Sequence, residues 1–150
     1  MFRGVSALSL DAKGRMAMPT KYRDLLHEYC QGHIVITIDP DYCLLLYPQP
    51  EWEMIEKELI RLPSLDKKAR RLKRLLIGHA TECTLDASGR LLLPPVLRAF
   101  AKLDKRIVLI GQGNKFELWD EQTWQARCEE WLAEESAEQS LSERLNELVF

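Results

Sequence analysis

Apolar residues in the first half of the chain alternate between runs typical of strands and spacings typical of helices. The β-branched run at 34–38 predicts a strand. Tyr22, Leu25 and Leu26 have helical spacing, and Pro19 is suited to begin that helix. The pattern predicts two strands, a helix, two strands and a second helix. The predicted elements are strand 3–10, a short strand ending at Met18, strands 34–38 and 44–47, and helices beginning at Pro19 and Pro50.

The second half of the chain repeats the first. The ten residues Leu10–Pro19 match Leu85–Pro94 at an offset of 75, with six identical positions. Further matched pairs are Arg23 with Arg98, Leu46 with Leu118 and Trp52 with Trp124. Because these features keep the same order, the sequence indicates an internal duplication. The second copy is predicted to contain strands 79–85, 90–93, 106–110 and 116–119 and helices 94–102 and 121–133.

Each copy contains an Asp-x-x-Gly-Arg motif between its first two predicted strands. Asp at the first position and Gly at the fourth are typical of a type I turn that a left-handed glycine closes. Asp side chains also accept N–H bonds within their own turn. We therefore interpret Asp11, Gly14, Asp86 and Gly89 as structural residues of two short hairpins.

The composition supports a folded chain in which the two copies pack together. It is 46% apolar and 29% charged, which excludes a disordered protein. A unit of about fifty residues has only a small core by itself. We therefore expect the copies to share a core about a pseudo-twofold axis, which brings both hairpins into one molecule.

Three further features bear on location. The longest apolar run, Cys43–Tyr47, is too short to span a bilayer. The first residues lack the pattern of a signal peptide. Four cysteines lie far apart with no CxxC pair, which favours reduced thiols. We expect a cytoplasmic protein that makes no membrane contact.

The charge is distributed unevenly along the chain. The formal net charge is only −2, which excludes a wholly basic nucleic-acid coat. Residues 117–150 contain ten acidic and two basic residues, a balance of −8, and the rest of the chain therefore has a balance of +6. This asymmetry indicates either a basic working surface with an acidic appendage or a helix with a solvated acidic face.

The segment between the copies is predicted to form a basic amphipathic helix. Its apolar positions share one helical face, and its basic positions occupy the rest. The apolar positions are Leu65, Ala69, Leu72, Leu75 and Leu76. Three interpretations stay open: a packed linker, a nucleic-acid contact or a membrane-surface helix, and the absence of an aromatic anchor from the apolar face argues against the last.

The hairpins carry the best candidates for binding an anionic ligand. Lys13, Arg15 and Arg90 supply donors that suit phosphates and guanine edges. The second copy has Ser88 where the first has Lys13, so the two hairpins are expected to bind unequally. Arg3 is a further candidate for the same basic patch.

Catalysis and cofactor binding find little support. The sequence has no GxSxG, phosphate-loop or GxGxxG motif. His27, Cys30, His33 and Cys43 form one possible metal set, but no second cysteine pair completes a structural zinc pattern. We expect no enzymatic activity and no cofactor.

The ordered set of motifs resembles the MraZ family of bacterial transcriptional regulators, whose halves are similar to the AbrB-like swapped-hairpin domain. The resemblance covers nearly the whole chain. A single Asp-x-x-x-Arg motif would be weak evidence, whereas the ordered set is specific. The segments that carry it are Met1–Gly4, Leu44–Pro48 with Glu51 and Trp52, Arg74–Ala80, Leu85–Pro94 and Asn114–Trp119.

The resemblance implies an α+β fold of duplicated β-β-α-β-β units, a pseudo-twofold small β-barrel with flanking helices. The implied domains follow the chain in order. They are a first repeat with its trailing helix at 1–60, a basic linker helix at 61–76, a second repeat with its trailing helix at 77–133 and an acidic C-terminal helix at 134–150.

The resemblance also implies a sequence-specific DNA-binding transcriptional regulator, a repressor at direct repeats in the promoter of its own division and cell-wall gene cluster. Arg15 and Arg90 carry over as DNA-contacting residues. The implied partners are double-stranded promoter DNA on the nucleoid and further copies of the chain in an octameric or dodecameric ring, with no small-molecule substrate. The alternative is a ring-forming protein-interaction scaffold without specific DNA binding.

Overall fold

Strands and helices follow one another in the order that the apolar pattern predicts. The computed structural model describes residues 1–138 and 147–148. Its strands are β1 (Phe2–Ser9), β2 (Arg15–Ala17), β3 (His33–Ile38), β4 (Leu44–Pro48), β5 (Thr81–Thr84), β6 (Arg90–Leu92), β7 (Arg106–Gly113) and β8 (Phe116–Asp120). Its helices are α1 (Thr20–Cys30), α2 (Gln49–Arg61), α3 (Lys67–Leu72), α4 (Pro95–Phe100) and α5 (Glu121–Glu138). A π-helical segment, Lys73–Ile77, follows α3.

The two repeats exchange strands, which confirms the predicted duplicated α+β fold. Six strands form one antiparallel sheet in the order β1-β7-β8-β4-β3-β5, and β2 pairs with β6 in a separate ribbon. Thus β1 of the first repeat pairs with β7 of the second, and β5 of the second pairs with β3 of the first. Neither half completes its sheet without the other.

This exchange joins both repeats into one compact unit, 1–120, while the described residues from Glu121 onward belong to a second unit. The predicted boundary between 1–60 and 77–133 therefore crosses a shared sheet. Within the second unit, α5 continues past position 133, where the sequence predicts a helix end. In the acidic tail, Leu141, Leu145 and Leu148 form an apolar stripe in the sequence, and the first two of these residues lie outside the described residues.

The main core lies under the ribbon. Met16 and Leu91, from the middle of β2 and β6, are fully buried, as are Met18 and Leu93 just beyond them. They join an apolar cluster that includes one face of the central strands. A second cluster on α2 and the same strands contains Val35, Leu45, Tyr47, Trp52 and Leu59. Burial on both faces explains the continuous apolar runs of β3 and β4.

The linker helix begins later than its apolar pattern predicts. The side chain of Asp66 accepts a hydrogen bond from the backbone N–H of Ala69 at 3.2 Å and thereby caps α3. Leu65 consequently lies before the helix and is 92% exposed, so its assignment to the apolar face of the helix is wrong, and Leu72 on that face is 40% exposed. Ala69 is buried as expected. No helix among the described residues is long and apolar enough to cross a membrane.

Candidate nucleic-acid interface

The first candidate element is the turn Asp11–Gly14. The amide of Asp11 donates to the carbonyl of Arg15, and the amide of Gly14 donates to the carbonyl of Asp11, each at 3.0 Å. The Asp11 carboxylate accepts from the amides of Lys13 and Arg15 at 2.9 Å. Gly14 has a φ of +81°, a conformation that favours glycine. The hydrogen bonds that the Asp11 carboxylate accepts therefore stabilise the turn.

The turn Asp86–Gly89 repeats this geometry in the second half. The Asp86 carboxylate accepts from the amides of Ser88 and Arg90, both at 2.9 Å. Gly89 has a φ of +74°. The tip residue Ser88 is exposed and occupies the position of Lys13 in the first turn. The two turns thus share a backbone and differ in charge at the tip.

The carboxylate of each aspartate also accepts a hydrogen bond from the side chain of the arginine four residues later. The Nε of Arg15 donates to Asp11 Oδ2 at 2.7 Å, and the Nε of Arg90 donates to Asp86 Oδ2 at 3.3 Å. The side chains of the two arginines are 26% and 38% exposed. Among the described residues, no hydrogen bond engages the terminal nitrogens of either guanidinium. Those nitrogens are therefore the ends that an external acceptor can reach.

Both carboxylates are ionised at neutral pH. The amide of Arg15, followed by the Arg15 side chain and the amide of Lys13, lowers the pKa of Asp11 from its ordinary 3.8 to about 2. The amide of Arg90, with help from Ser88, lowers the pKa of Asp86. Ionised carboxylates form strong hydrogen bonds with guanidinium groups. The arginines are consequently oriented before any ligand binds.

The two arginines share the outer face of the ribbon. In the β2–β6 register Arg15 lies opposite Leu92, and Ala17 lies opposite Arg90. Residues alternate between faces along a strand, and the intervening Met16 is buried in the core. Arg15 and Arg90 are therefore diagonal neighbours, roughly 7–8 Å apart at their Cα atoms. The pairing of β2 with β6 therefore places Arg15 and Arg90 on one exposed face.

Arg3 lies away from the turns. It is near the start of β1, opposite Gln112, and its carbonyl accepts a hydrogen bond from the hydroxyl of Tyr22. Six residue steps along β1 separate it from Ser9, a span of roughly 20 Å. The structure does not bring Arg3 together with Lys13, and its contact with DNA stays a prediction.

Sequence reasoning assigned no role to Arg23, which the structure places at the opposite repeat's turn. Its Nε donates to the carbonyl of Met18 at 2.6 Å. A Cβ placed on Gly89 would lie 2.4 Å from that Nε. Arg98 lies against Gly14 in the equivalent way. The feature of the sequence that could have indicated this role is the match of Arg23 with Arg98 at the repeat offset of 75.

Two residues of the possible metal set, Cys30 and His33, have other partners. The Sγ of buried Cys30 donates to a backbone carbonyl at 3.2 Å, and burial raises the pKa of this thiol. The ring of His33 contacts the hydroxyl of Thr84 at 3.1 Å. Burial also raises the pKa of Cys43. Within residues 1–138 and 147–148, no group of three or more His, Cys, Asp or Glu side chains is placed to hold a metal ion.

Comparison with known proteins agrees with the duplicated architecture. The chain matches the family described as "MraZ protein, putative antitoxin-like" twice, over residues 1–75 and 76–147. It is 65% identical over 135 residues to the transcriptional regulator MraZ of Thioalkalivibrio sulfidiphilus, covering 90% of each chain. It is 56% identical to that of Methylococcus capsulatus over 100% of each chain, and 55% identical to that of Pseudomonas aeruginosa over 99% of each. The chain therefore belongs to the MraZ family.

Proposed function

We propose that this chain is a DNA-binding transcriptional regulator, and specifically a repressor of its own division and cell-wall gene cluster. The relatives at 55–65% identity are named transcriptional regulators. One structural observation carries the DNA-binding part: Arg15 and Arg90 lie diagonally on one exposed ribbon face. Acting at a promoter, the protein works in the cytoplasm on the nucleoid.

The orientation of the guanidiniums suits DNA chemistry. The Nε of each guanidinium donates a hydrogen bond to an aspartate, which leaves the two terminal nitrogens as a planar pair of donors. Such a fork binds a phosphate or the O6 and N7 atoms of guanine. A two-stranded ribbon also fits the major groove, which is about 12 Å wide. The paired aspartates prevent the arginines from adopting many orientations, which reduces the entropy lost on binding.

The proposal includes ring assembly and direct-repeat operators. In a closed ring, every subunit uses the same two unlike surfaces, so adjacent ribbons are related by one rotation. Direct repeats match that arrangement, whereas palindromes match twofold dimers. Several weak contacts on one DNA molecule then combine into a high total affinity.

The test is a salt-titrated gel-shift assay on DNA from upstream of the chain's own gene, beside scrambled DNA. Wild-type protein is expected to prefer the upstream DNA and to lose affinity steeply as salt rises. Arg15→Ala and Arg90→Ala are each expected to reduce the preference by about 1–3 kcal/mol. Arg61→Ala is the matched control, because Arg61 is an exposed arginine at the end of α2.

Two results would contradict the proposal. Equal and feeble binding to both DNAs would exclude specific recognition. Wild-type affinity in a folded Arg15→Ala/Arg90→Ala protein would show that the ribbon is not the contact surface. A salt-insensitive assembly with a protein partner would instead favour the scaffold function, for which the −8 charge balance of residues 117–150 is the supporting observation.

A further inference from the structure

Arg23 brings a charge from the first repeat to the turn of the second. Its Nε donates to the carbonyl of Met18 at 2.6 Å, while the amide of Met18 donates to the carbonyl of Gly89 at 2.9 Å. A Cβ on Gly89 would lie within 2.8 Å of Nε, Cδ and Cζ of Arg23. Since Arg90 follows Gly89 directly, this turn has one guanidinium from each repeat.

Arg98 does the same at the turn of the first repeat. Its Nε donates to the carbonyl of Leu93 at 3.1 Å, and a Cβ on Gly14 would lie 2.6 Å from its Cζ. Arg98 also lines two clefts, one shared with Lys105 and one shared with Lys13. The two clefts are lined by the cations Lys13, Arg98 and Lys105 and by the acidic residues Asp11, Glu82 and Asp104, and Arg15 follows Gly14 in the turn itself.

The turns do not need these arginines to satisfy their backbones. The amide of Gly14 already donates to Asp11, and its carbonyl already accepts from Leu93, both at 3.0 Å. No ion pair between either Arg23 or Arg98 and a carboxylate is present among the described residues. Both side chains are half-buried. A half-buried guanidinium without a carboxylate partner is stabilised by an added anion.

We propose that Arg23 and Arg98 each bind a DNA phosphate beside the turn of the opposite repeat. The inference rests on the proposed function, and it assigns a division of labour. Arg15 and Arg90 project from the ribbon face toward base edges, while Arg23 and Arg98 hold the flanking backbone. Because each phosphate ligand comes from the other repeat, both halves of the chain contribute to both contacts.

The experiment separates a phosphate contact from a purely positional role. Binding of wild type, Arg23→Gln, Arg98→Gln, Arg23→Lys and Arg98→Lys to the upstream DNA is measured from 50 to 200 mM salt, with Arg61→Gln as control. Each Gln variant is expected to bind about tenfold more weakly at low salt. The slope of log affinity against log salt should become shallower by at least about 0.9, which is about threefold over this range. The Lys variants should keep the wild-type slope.

The outcomes are distinct. A Gln variant that binds more weakly with the wild-type slope is a positional defect and overturns the inference. If wild-type protein shows no preference for the upstream DNA, the proposed function fails and the inference fails with it. If Arg15→Ala weakens binding while both Gln variants match wild type, only the inference fails.

A second measurement needs no variant, so misfolding does not affect it. Wild-type protein is modified with phenylglyoxal, an arginine reagent, with and without the upstream DNA, and each arginine is quantified by mass spectrometry. DNA should protect Arg23 and Arg98 severalfold and leave Arg61 unchanged. Equal modification of Arg23 and Arg98 in both samples would overturn the inference.

Discussion

Gly89 lies so close to the guanidinium group of Arg23 that a side chain at this position would displace the arginine. A Cβ at Gly89 would be 2.4 Å from the Nε of Arg23, and the glycine itself has a φ of +74°. Gly14 has the same relationship with Arg98, at 2.6 Å and +81°. The left-handed backbone favours glycine at both turns, and a Cβ would in addition displace the arginine of the opposite repeat.

Gly89→Ala should destabilise the folded chain. A left-handed backbone costs a residue with a Cβ about 1–3 kcal/mol, and Arg23 must also move. For a chain of this length, each kcal/mol lowers the melting temperature by about 2–4 °C. Calorimetry of wild type, Gly89→Ala and Ser88→Ala measures the effect, with Ser88 as the exposed control in the same turn. A Gly89→Ala protein that melts with wild type would refute this account of the turn.

Exchanging the tip residues should change DNA binding in opposite directions. Lys13 and Ser88 both donate their amides to the turn aspartate at 2.9 Å, so their side chains start from equivalent positions. Lys13→Ser should weaken binding and flatten its salt dependence, whereas Ser88→Lys should do the reverse. Each phosphate contact changes the slope of log affinity by about 0.9. If neither slope moves, neither tip reaches the phosphate backbone.

Substitutions on the buried face of the ribbon should destabilise the fold as much as substitutions elsewhere in the core. Met16 is fully buried, while Leu92 on the outer face is 56% exposed. Met16→Ala removes buried methylene groups and leaves a cavity, with an expected cost of about 2–5 kcal/mol. Leu92→Ala should change stability by no more than about 0.5 kcal/mol. Urea denaturation of both variants tests the assigned faces, and equal losses would show that the faces are wrong.

The order of the elements was predictable because its signals are local. The spacing of Tyr22 and Leu26, the β-branched run of β3 and the two Asp-x-x-Gly-Arg motifs each specify an element within a few residues. Together they predict the repeat and its turns. The family resemblance added the likeness of each half to a swapped-hairpin domain, but it did not predict that β1 and β5 pair with strands of the opposite repeat.

Contacts between the halves were not predictable from local pattern. No local feature distinguishes pairing of β1 with β7 from pairing of β1 with β3, because β3 and β7 are equivalent strands of the two repeats and both are rich in Ile and Val. The meeting of Arg23 with Gly89 depends on that pairing and joins residues far apart in the chain. Leu65 was misassigned for a smaller reason, because the cap at Asp66 sets the helix start more strongly than apolar spacing does.

The turn aspartates should contribute to the acid sensitivity of folding. In the folded chain the amide and side chain of Arg15 lower the pKa of Asp11 to about 2, below the 3.8 expected of an unfolded chain. A lowered pKa stabilises the fold when the group is ionised, so this contribution is complete above about pH 4. It decreases as pH falls from there through about 2, where the folded carboxylate takes up its proton. Asp86, whose pKa is lowered by the amide of Arg90, should act in the same direction.

Urea midpoints of wild type, Asp11→Asn and Asp24→Asn between pH 5 and 2 test this expectation. Asp11→Asn should be less stable than wild type at pH 5, because Arg15 loses its charged partner. The difference should shrink toward pH 2, since the wild-type carboxylate is then becoming protonated too. Asp24→Asn is the control at an exposed site on α1 and should follow wild type throughout. A difference between Asp11→Asn and wild type that is constant with pH would assign the aspartate's role to shape alone, because only the ionised form couples the turn to Arg15.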